Sequence, residues 1–300
     1  MILATADWHL RRTTPKSRID DFFRSQEIKV RHILNIAREN NCPLIIAGDF
    51  FEKARPGDYI EQWIIHLLQE YRIRTICVPG QHDLPSHQLK FINDSGLGVL
   101  EAAGVITLLT DPTRPIIHND YIFYGCPFGT DPNEIVIRKS ATGKVKVLIW
   151  HHMVINEPLW EEQVADKAGK VLRLYPQFDL IITGDNHQSF IYDRKGKWLI
   201  NPGSLMRKAA DQIDHKPSIY LYDNGEVERI YLPIEQDVFD ISHIKDLKAR
   251  EVRYGAFIDK LHKGYTSGID LNSNFTSFFS KNKIRKPVEN LVWECIPDDK

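Results

Sequence analysis

Ile2-Leu3-Ala4-Thr5-Ala6, an apolar and β-prone run, breaks off into Asp7-Trp8-His9. In extended chain, residues i and i+2 point to the same face. Asp7 and His9 can therefore converge on one point just past the end of a buried strand. A lone Asp-x-His arises often by chance, but here the arrangement recurs. The apolar run 44–47, of the kind expected for a central parallel strand, ends in Gly48-Asp49-Phe50-Phe51-Glu52. Run 75–78 leads to Gly80-Gln81-His82-Asp83, run 145–150 to His151-His152, and run 180–183 to Gly184-Asp185-Asn186-His187.

Amphipathic stretches separate the first of these strands. Over 17–41, Ile19, Phe22, Phe23, Val30, Ile33, Leu34 and Ala37 keep helical spacing, with Ser17 as the expected N-cap and Asn40-Asn41 with Pro43 as the stop. A second such helix is expected over 59–71. Alternating strands and helices place the chain in the α/β class. Weaker strands are expected at 104–108 and 121–126, and loop plus a short helix over 157–174. Four β-like stretches follow (190–193, 198–200, 218–222, 227–232), and Lys195-Gly196 and Asn224-Gly225 read as turns, which predicts an antiparallel meander. Beyond that the chain becomes helix-prone and charge-rich, which sets the expected domains at 1–235 and 236–300.

Lys+Arg 39 against Asp+Glu 40 gives a formal net charge of -1, so no whole-chain basicity points to nucleic acid, although a local basic patch would suffice. Cys42, Cys77, Cys126 and Cys295 are scattered and read as reduced thiols. No apolar run approaches about 18 residues, and the chain opens on a strand rather than a charged-then-apolar leader. A soluble cytoplasmic protein with no membrane association is the expectation.

Ligand sites in α/β sheets form outside the carboxyl ends of strands, where loops bring distant residues together. Mixed imidazole and carboxylate donors suit Mn, Fe or Zn, and an oxygen-rich balance favours Mn. One aspartate shared by two ions about 3.5–4 Å apart would make a two-metal centre, whose chemistry fits phosphoester hydrolysis.

The five strand-end motifs together resemble the calcineurin-like metallophosphoesterases, whose pattern runs D-x-H, G-D-x-x-(D/E), G-N-H-D/E, H and G-H-x-H. Order and spacing match over about residues 1–230. The resemblance implies a four-layered α/β/β/α sandwich with a small C-terminal helical cap, and two divalent ions, Mn2+ first and Mg2+ second. It implies Asp7, His9, Asp49 and His187 on one ion, and Asp49, Gln81, His151 and Asp185 on the other, with Asp49 bridging. His82 would contact the scissile phosphate as general acid, and Asp83 would orient it. This chain departs from the pattern twice, both times at the second ion. Gln81 replaces the asparagine and Asp185 replaces the first histidine of G-H-x-H. Both replacements can still ligate, so the readings are a harder, retuned site or a weakened one.

Ala6-Asp7-Trp8-His9-Leu10 and Gly48-Asp49-Phe50-Phe51-Glu52 are similar to the SbcD-type exonuclease branch, and Asn201-Pro202-Gly203-Ser204 followed by Arg207 resembles the late P-G-S turn. That branch implies a DNA exonuclease or endonuclease subunit of repair, recombination or replication, DNA and an SbcC-like ATPase as partners, and a homodimer among the assemblies open to it. Phage recombination nucleases fall in the same branch. Arg11 and Arg12, beside the first motif, and Arg207 are the candidate DNA contacts. Alternatives on the same scaffold are a small-substrate phosphodiesterase, a phosphoprotein phosphatase, or a catalytically weak DNA-binding scaffold subunit. His151 rather than His152 continues the strand register as ligand, Trp8 reads as packing, and Glu52 as a turn or supporting residue. His32, His66, His118, His215, His243 and His262 read as surface or satisfied core. In the last segment, a rough apolar stripe over 241–263 with interspersed Lys and Arg, and a cluster of Lys281, Lys283, Arg285 and Lys286, read as a solvated face, a phosphate-contacting face or a docking helix.

Overall fold

The computed structural model describes residues 1–137, 142–157, 165–209, 212–240 and 271–294. The chain divides into two units, Met1–Asp240 and Ile241–Lys300. In chain order the first unit holds β1 (Ile2–Thr5), α1 (Phe22–Glu39), β2 (Leu44–Ala47), α2 (Asp58–Tyr71), β3 (Thr75–Val78), α3 (Gly96–Ala102) and β4 (Thr107–Leu108). There follow β5 (Ile116–His118), β6 (Tyr121–Cys126), β7 (Val145–His151), β8 (Val154–Ile155), β9 (Asp166–Lys167), α4 (Ala168–Leu174) and β10 (Leu180–Gly184). Two hairpins complete it, β11 (Phe190–Arg194) with β12 (Lys197–Asn201) and β13 (Ser218–Asp223) with β14 (Glu226–Tyr231).

The strands form two six-stranded sheets, ordered β14-β13-β1-β2-β3-β4 and β11-β12-β10-β7-β6-β5, with β8 and β9 as a separate parallel pair. The central strands of each sheet run parallel, β1-β2-β3 in one and β6-β7-β10 in the other. Because side chains alternate across a strand, each sheet buries both faces. Leu3, Leu44, Ile46 and Cys77 pack outward against α1 and α2 through Val30, Ile33, Ile64 and Leu67. Ala4, Ile45, Ala47 and Ile76 face Phe123, Val147, Ile149 and Ile182 of the other sheet. Leu148 and Ile181 turn to α4, meeting Val171 and Leu172. The layers are therefore helix, sheet, sheet, helix, as the resemblance implied.

Where the two sheets meet, their parallel strands end side by side. The pairing of the first sheet continues past β1 and β2 as loop hydrogen bonds, Asp7 N to Gly48 O (3.0 Å) and His9 N to Asp49 O (2.9 Å). Gly184, closing β10, lies so near β2 that a Cβ there would collide with Ala47 O and sit 2.8 Å from His151 Nδ1.

Three expectations are corrected. The first helix starts at Phe22 with Asp21 as N-cap, its carboxylate accepting from Arg24 N (3.0 Å), not at Ser17. Before it a turn at 15–18 leads into an isolated antiparallel bridge between Arg18 and Phe239, with Ile19 N donating to Val238 O and Asp240 N to Ser17 O. Ile19 is exposed, so it is no part of the core stripe that suggested the earlier start. The expected meander is two hairpins shared between sheets: β12 lies parallel to β10, whereas β13 crosses to lie antiparallel to β1. Between the two hairpins, Leu205 N donates to Asp7 O (3.1 Å). Third, α3 and β5 occupy stretches for which no element was expected.

The first unit runs five residues past Glu235, with Val238 and Phe239 buried. In the second unit, α5 (Leu271–Asn282) and α6 (Lys286–Glu294) bring Phe275, Phe279 and Trp293 together, with ring centroids 5.8–5.9 Å apart. The stripe expected over 241–263 lies outside the described residues, as does Cys295. Cys42, Cys77 and Cys126 are buried free thiols.

Gly184→Ala forces the two sheets apart at their tightest approach. The expected result in thermal unfolding is a loss of about 1–3 kcal/mol.

Candidate metal centre

Each site residue is delivered by the end of a parallel strand. Asp7 and His9 follow β1, Asp49 follows β2, Gln81, His82 and Asp83 form a 3₁₀ turn after β3, His151 closes β7, and Asp185 and His187 follow β10. Asp7, His9, Asp49 and Asp185 all hold left-handed backbone, with φ of 48°, 46°, 48° and 76°. Such a conformation is costly for a non-glycine residue and gathers where function requires it.

Asp7, His9, Asp49, Asp83 and His151 are buried. Three groups of donor atoms lie within 4.8 Å of one another: Asp7, His9 and His187; His9, Asp49 and His82; Asp7, Asp49 and His151. Asp49 is the hub. Its Oδ1 accepts from His82 N (2.9 Å), while Oδ2 lies 3.6 Å from His151 Nε2, 3.7 Å from His9 Nε2 and 4.0 Å from His82 Nε2. The Nε2 atoms of His9 and His187 are 3.2 Å apart. Gln81 spans the departures from the family pattern, its Oε1 lying 2.6 Å from His151 Nε2 and its Nε2 donating to Asp185 Oδ1 (2.8 Å).

The arrangement fits divalent ions on its own terms. Oδ2 of Asp7 and Oδ2 of Asp49 are buried with no hydrogen-bond partner, a state proteins avoid unless another group satisfies those atoms. Burial pushes the Asp7 carboxyl up to about 8. Burial, then the neighbouring His9, pulls His187 down to about 3, leaving it as the neutral imidazole a metal takes. Burial alone would lower His151, but the carboxylates of Asp49 and Asp7 hold it up at about 10.

Two histidines have their tautomers set by carbonyls. His151 Nδ1 donates to Ala47 O (2.8 Å) and His82 Nδ1 to Glu52 O (3.0 Å), since a carbonyl only accepts. Nε2 of His82 is thus the atom offered to the site. Asp83 does not orient that ring directly. Its carboxylate accepts from the backbone N–H of Gly80 (3.0 Å), Phe50 (3.1 Å) and Phe51 (2.9 Å), which ties the loops after β2 and β3 together. His152 turns away to stack on Trp150 and meet Asp166, and Trp8 is buried with its N–H on Thr5 Oγ1.

The expected DNA contacts separate. Arg12 is exposed, over the Tyr59 ring, and Arg11 reaches Glu52 Oε1 (3.0 Å) and Thr13. Arg207 is buried, and its guanidinium donates to the carbonyls of Ile213 and Glu235, so it is committed to the fold rather than to a phosphate. Its neighbour Lys208 reaches the site instead, with Nζ 3.2 Å from Glu52 Oε2. Glu52 sits between Arg11, Lys208 and His9 Nδ1 (3.3 Å). Burial alone would raise its carboxyl, but His9 and Lys208 draw it down to about 2. Lys208 carried a signal in the sequence only as the second cation of the Arg207-Lys208 pair. Asn201 is a second residue whose part was not visible, its Nδ2 donating to the carbonyls of Asn186 and Gln188 and so fixing the loop that bears His187.

The family described as calcineurin-like phosphoesterase matches residues 1–189, which include every one of these strand ends. The chain belongs to the calcineurin-like phosphoesterases. Members of this family are phosphoester hydrolases that use divalent metal ions, in keeping with the donor clusters here. No curated protein matches the chain in sequence. Among solved structures, the protein TT1561 of Thermus thermophilus is 14% identical with a TM-score of 0.47, over 77% of this chain and 97% of that one. An archaeal phosphodiesterase is 15% identical with a TM-score of 0.42, over 77% and 99%. No helix among the described residues is long and apolar enough to cross a membrane.

The raised Asp7 carboxyl sets a pH dependence for the metal-free protein. Between the ordinary carboxyl range and about 8 the folded state keeps a proton that the unfolded state has released, so this group makes stability fall as pH rises through that window. Asp7→Asn removes the effect. In thermal unfolding with chelator, the variant is expected to gain about 1–3 kcal/mol over wild type by about pH 8, and to lose that advantage at about pH 4.

Proposed function

We propose that this phosphoesterase is a DNA nuclease subunit that depends on Mn2+, with Mg2+ as the alternative ion. It hydrolyses phosphodiester bonds in repair, recombination or replication alongside an SbcC-like ATPase. The observation that carries the reading is the placement of His82. Its Nδ1 is held by Glu52 O, and its half-exposed ring turns Nε2 toward the Asp49 hub at the edge of a cavity of about 790 Å³. A fixed imidazole beside a divalent-ion site in an open cavity suits a diester whose leaving group is a bulky sugar oxygen. The nuclease branch itself is supported by the motif around Asp7 and by Phe50-Phe51-Glu52 after Asp49.

Asp7, His9, Asp49 and His187 would hold one ion, and Asp49, Gln81, His151 and Asp185 the other. Divalent ions at such positions supply Lewis-acid charge to a phosphoryl oxygen. The chain's own groups do the rest. As water adds to phosphorus and the bond to the sugar oxygen breaks, His82 in its doubly protonated form gives the Nε2 proton to the departing oxygen and regains one from solvent. Nδ1–H stays on the Glu52 carbonyl, so the ring keeps one orientation through the transfer. Asp83 keeps the His82 turn in place through its three backbone contacts. Lys208 and Arg11 hold Glu52 beside His9, and Arg12, exposed on the surface, would meet a flanking phosphate.

The test is cleavage of linear duplex and single-stranded DNA by the purified chain with Mn2+, beside bis-p-nitrophenyl phosphate. Asp49→Asn is expected to abolish both activities, and His82→Ala to lower DNA cleavage about 10²–10⁴-fold. Turnover of the small diester alone, with the ATPase partner present, would replace this reading with a small-substrate phosphodiesterase. No turnover of either substrate would leave a DNA-binding scaffold.

A further inference from the structure

Two cavities flank the metal centre, and they differ in charge. Both reach Asp185 and Met153. The larger, about 790 Å³, is walled on its far side by Lys216, Arg229 and Tyr231, with His215 and Asp214 between them. The smaller, about 570 Å³, takes Asp131 and Asp166 beside Trp150 and His152, and no Lys or Arg among the described residues lines it. In the first, Lys216 and Arg229 offset Asp185 and Asp214. The second sets Asp131, Asp166 and Asp185 together, and among the described residues only Asp166 is ion-paired, to Lys170 (2.8 Å) and His152 (3.0 Å). A polyanion leaving the site therefore meets less repulsion in the first.

The far wall has more than charge. Tyr231 is 55% exposed, high for a large aromatic side chain on a strand. The Arg229 guanidinium lies 5.0 Å from its ring centroid and 5.6 Å from that of Tyr220. Arg229 is itself anchored, Nε donating to Ser218 Oγ (3.0 Å), and Ser218 is buried. With a fixed guanidinium over one face of an exposed ring, the other face can take a base and the cation a phosphate, the pairing by which single strands are held without regard to sequence. His215 belongs to this wall, although its sequence position gave it only a surface or core role. The hairpin and the 212–216 turn that build the wall lie beyond the span matched by the family, so the feature belongs to this chain's own later elements.

We propose that Lys216, Arg229 and Tyr231 form a subsite for single-stranded DNA adjoining the scissile phosphate, which directs the strand into the larger cavity, where the two cations lie, and away from the acid-lined one. The inference rests on the nuclease reading and adds to it which side of the centre the strand occupies.

The experiment is fluorescence anisotropy of a dye-labelled single-stranded oligonucleotide with phosphorothioate linkages, titrated with the full chain in Mn2+. Tyr231→Ala is expected to weaken binding about tenfold or more, since stacking of one base contributes about 1–3 kcal/mol. Tyr231→Phe is expected to keep wild-type affinity, because the ring face remains. Lys216→Ala with Arg229→Ala is expected to weaken binding and flatten its salt dependence. Asp131→Ala with Asp166→Ala is expected to leave affinity unchanged or raise it. Wild-type affinity in both Tyr231→Ala and the double lysine–arginine variant overturns the subsite and leaves the nuclease reading standing, as does a comparable loss from the acid-lined side. A wild-type chain that hydrolyses the small diester but binds no oligonucleotide overturns the nuclease reading and the subsite together.

Discussion

Two buried carboxylate oxygens, Oδ2 of Asp7 and Oδ2 of Asp49, have no hydrogen-bond partner. Burial without a hydrogen bond is expensive for a carboxyl group. Asp7 keeps its proton up to about pH 8, Asp49 leans on the ring nitrogens of His151, His9 and His82 at 3.6–4.0 Å, and the surrounding structure must be stable enough to carry both. The core supplies that stability. Three apolar clusters, one between the sheets and one on each outer face, surround the strands whose ends carry the acids. The centre is thus the least comfortable place in an otherwise well-packed molecule. A divalent ion relieves it, and folding and ion binding become linked.

The second dependence is steric. The two sheets come together so closely at β2, β7 and β10 that His151 Nδ1 reaches Ala47 O and Gly184 has no room for a Cβ. Gly48 is under the same restriction, with His151 in the space its Cβ would need and φ at +87°. Each glycine stands immediately before a site aspartate. Its absence of side chain, rather than flexibility, is what lets ligands from different sheets face one point.

Much of this was legible in the sequence because it is short-range. A run of four or five apolar residues ending in Gly-Asp or His is a strand and its site in a single stretch, so Asp7, His9, Asp49, His82, His151 and His187 could be named with no tertiary information. The reading of Asp83 missed because its three partners are backbone amides, two of them on the loop after a different strand. Arg207 and Lys208 are adjacent cations that nothing local distinguishes; the carbonyls of Ile213 and Glu235 take one and Glu52 takes the other. The helix start failed for a related reason, since Ile19 fits the apolar spacing but pairs with Val238 instead. The meander failed because turn signals mark where a chain reverses and not which sheet it joins next.

The four left-handed residues of the centre bear on how such a site could be moved. Asp7, His9, Asp49 and Asp185 each supply a side chain and, in the same residue, the bend that aims it. Copying the donor residues onto another pair of sheets would carry the chemistry but not the aim, because a new loop would relax to the ordinary right-handed region and swing each donor aside. The transferable unit is the strand end with its turn, glycine included. A graft would have to bring five such units, held by a junction as tight as the one at Ala47.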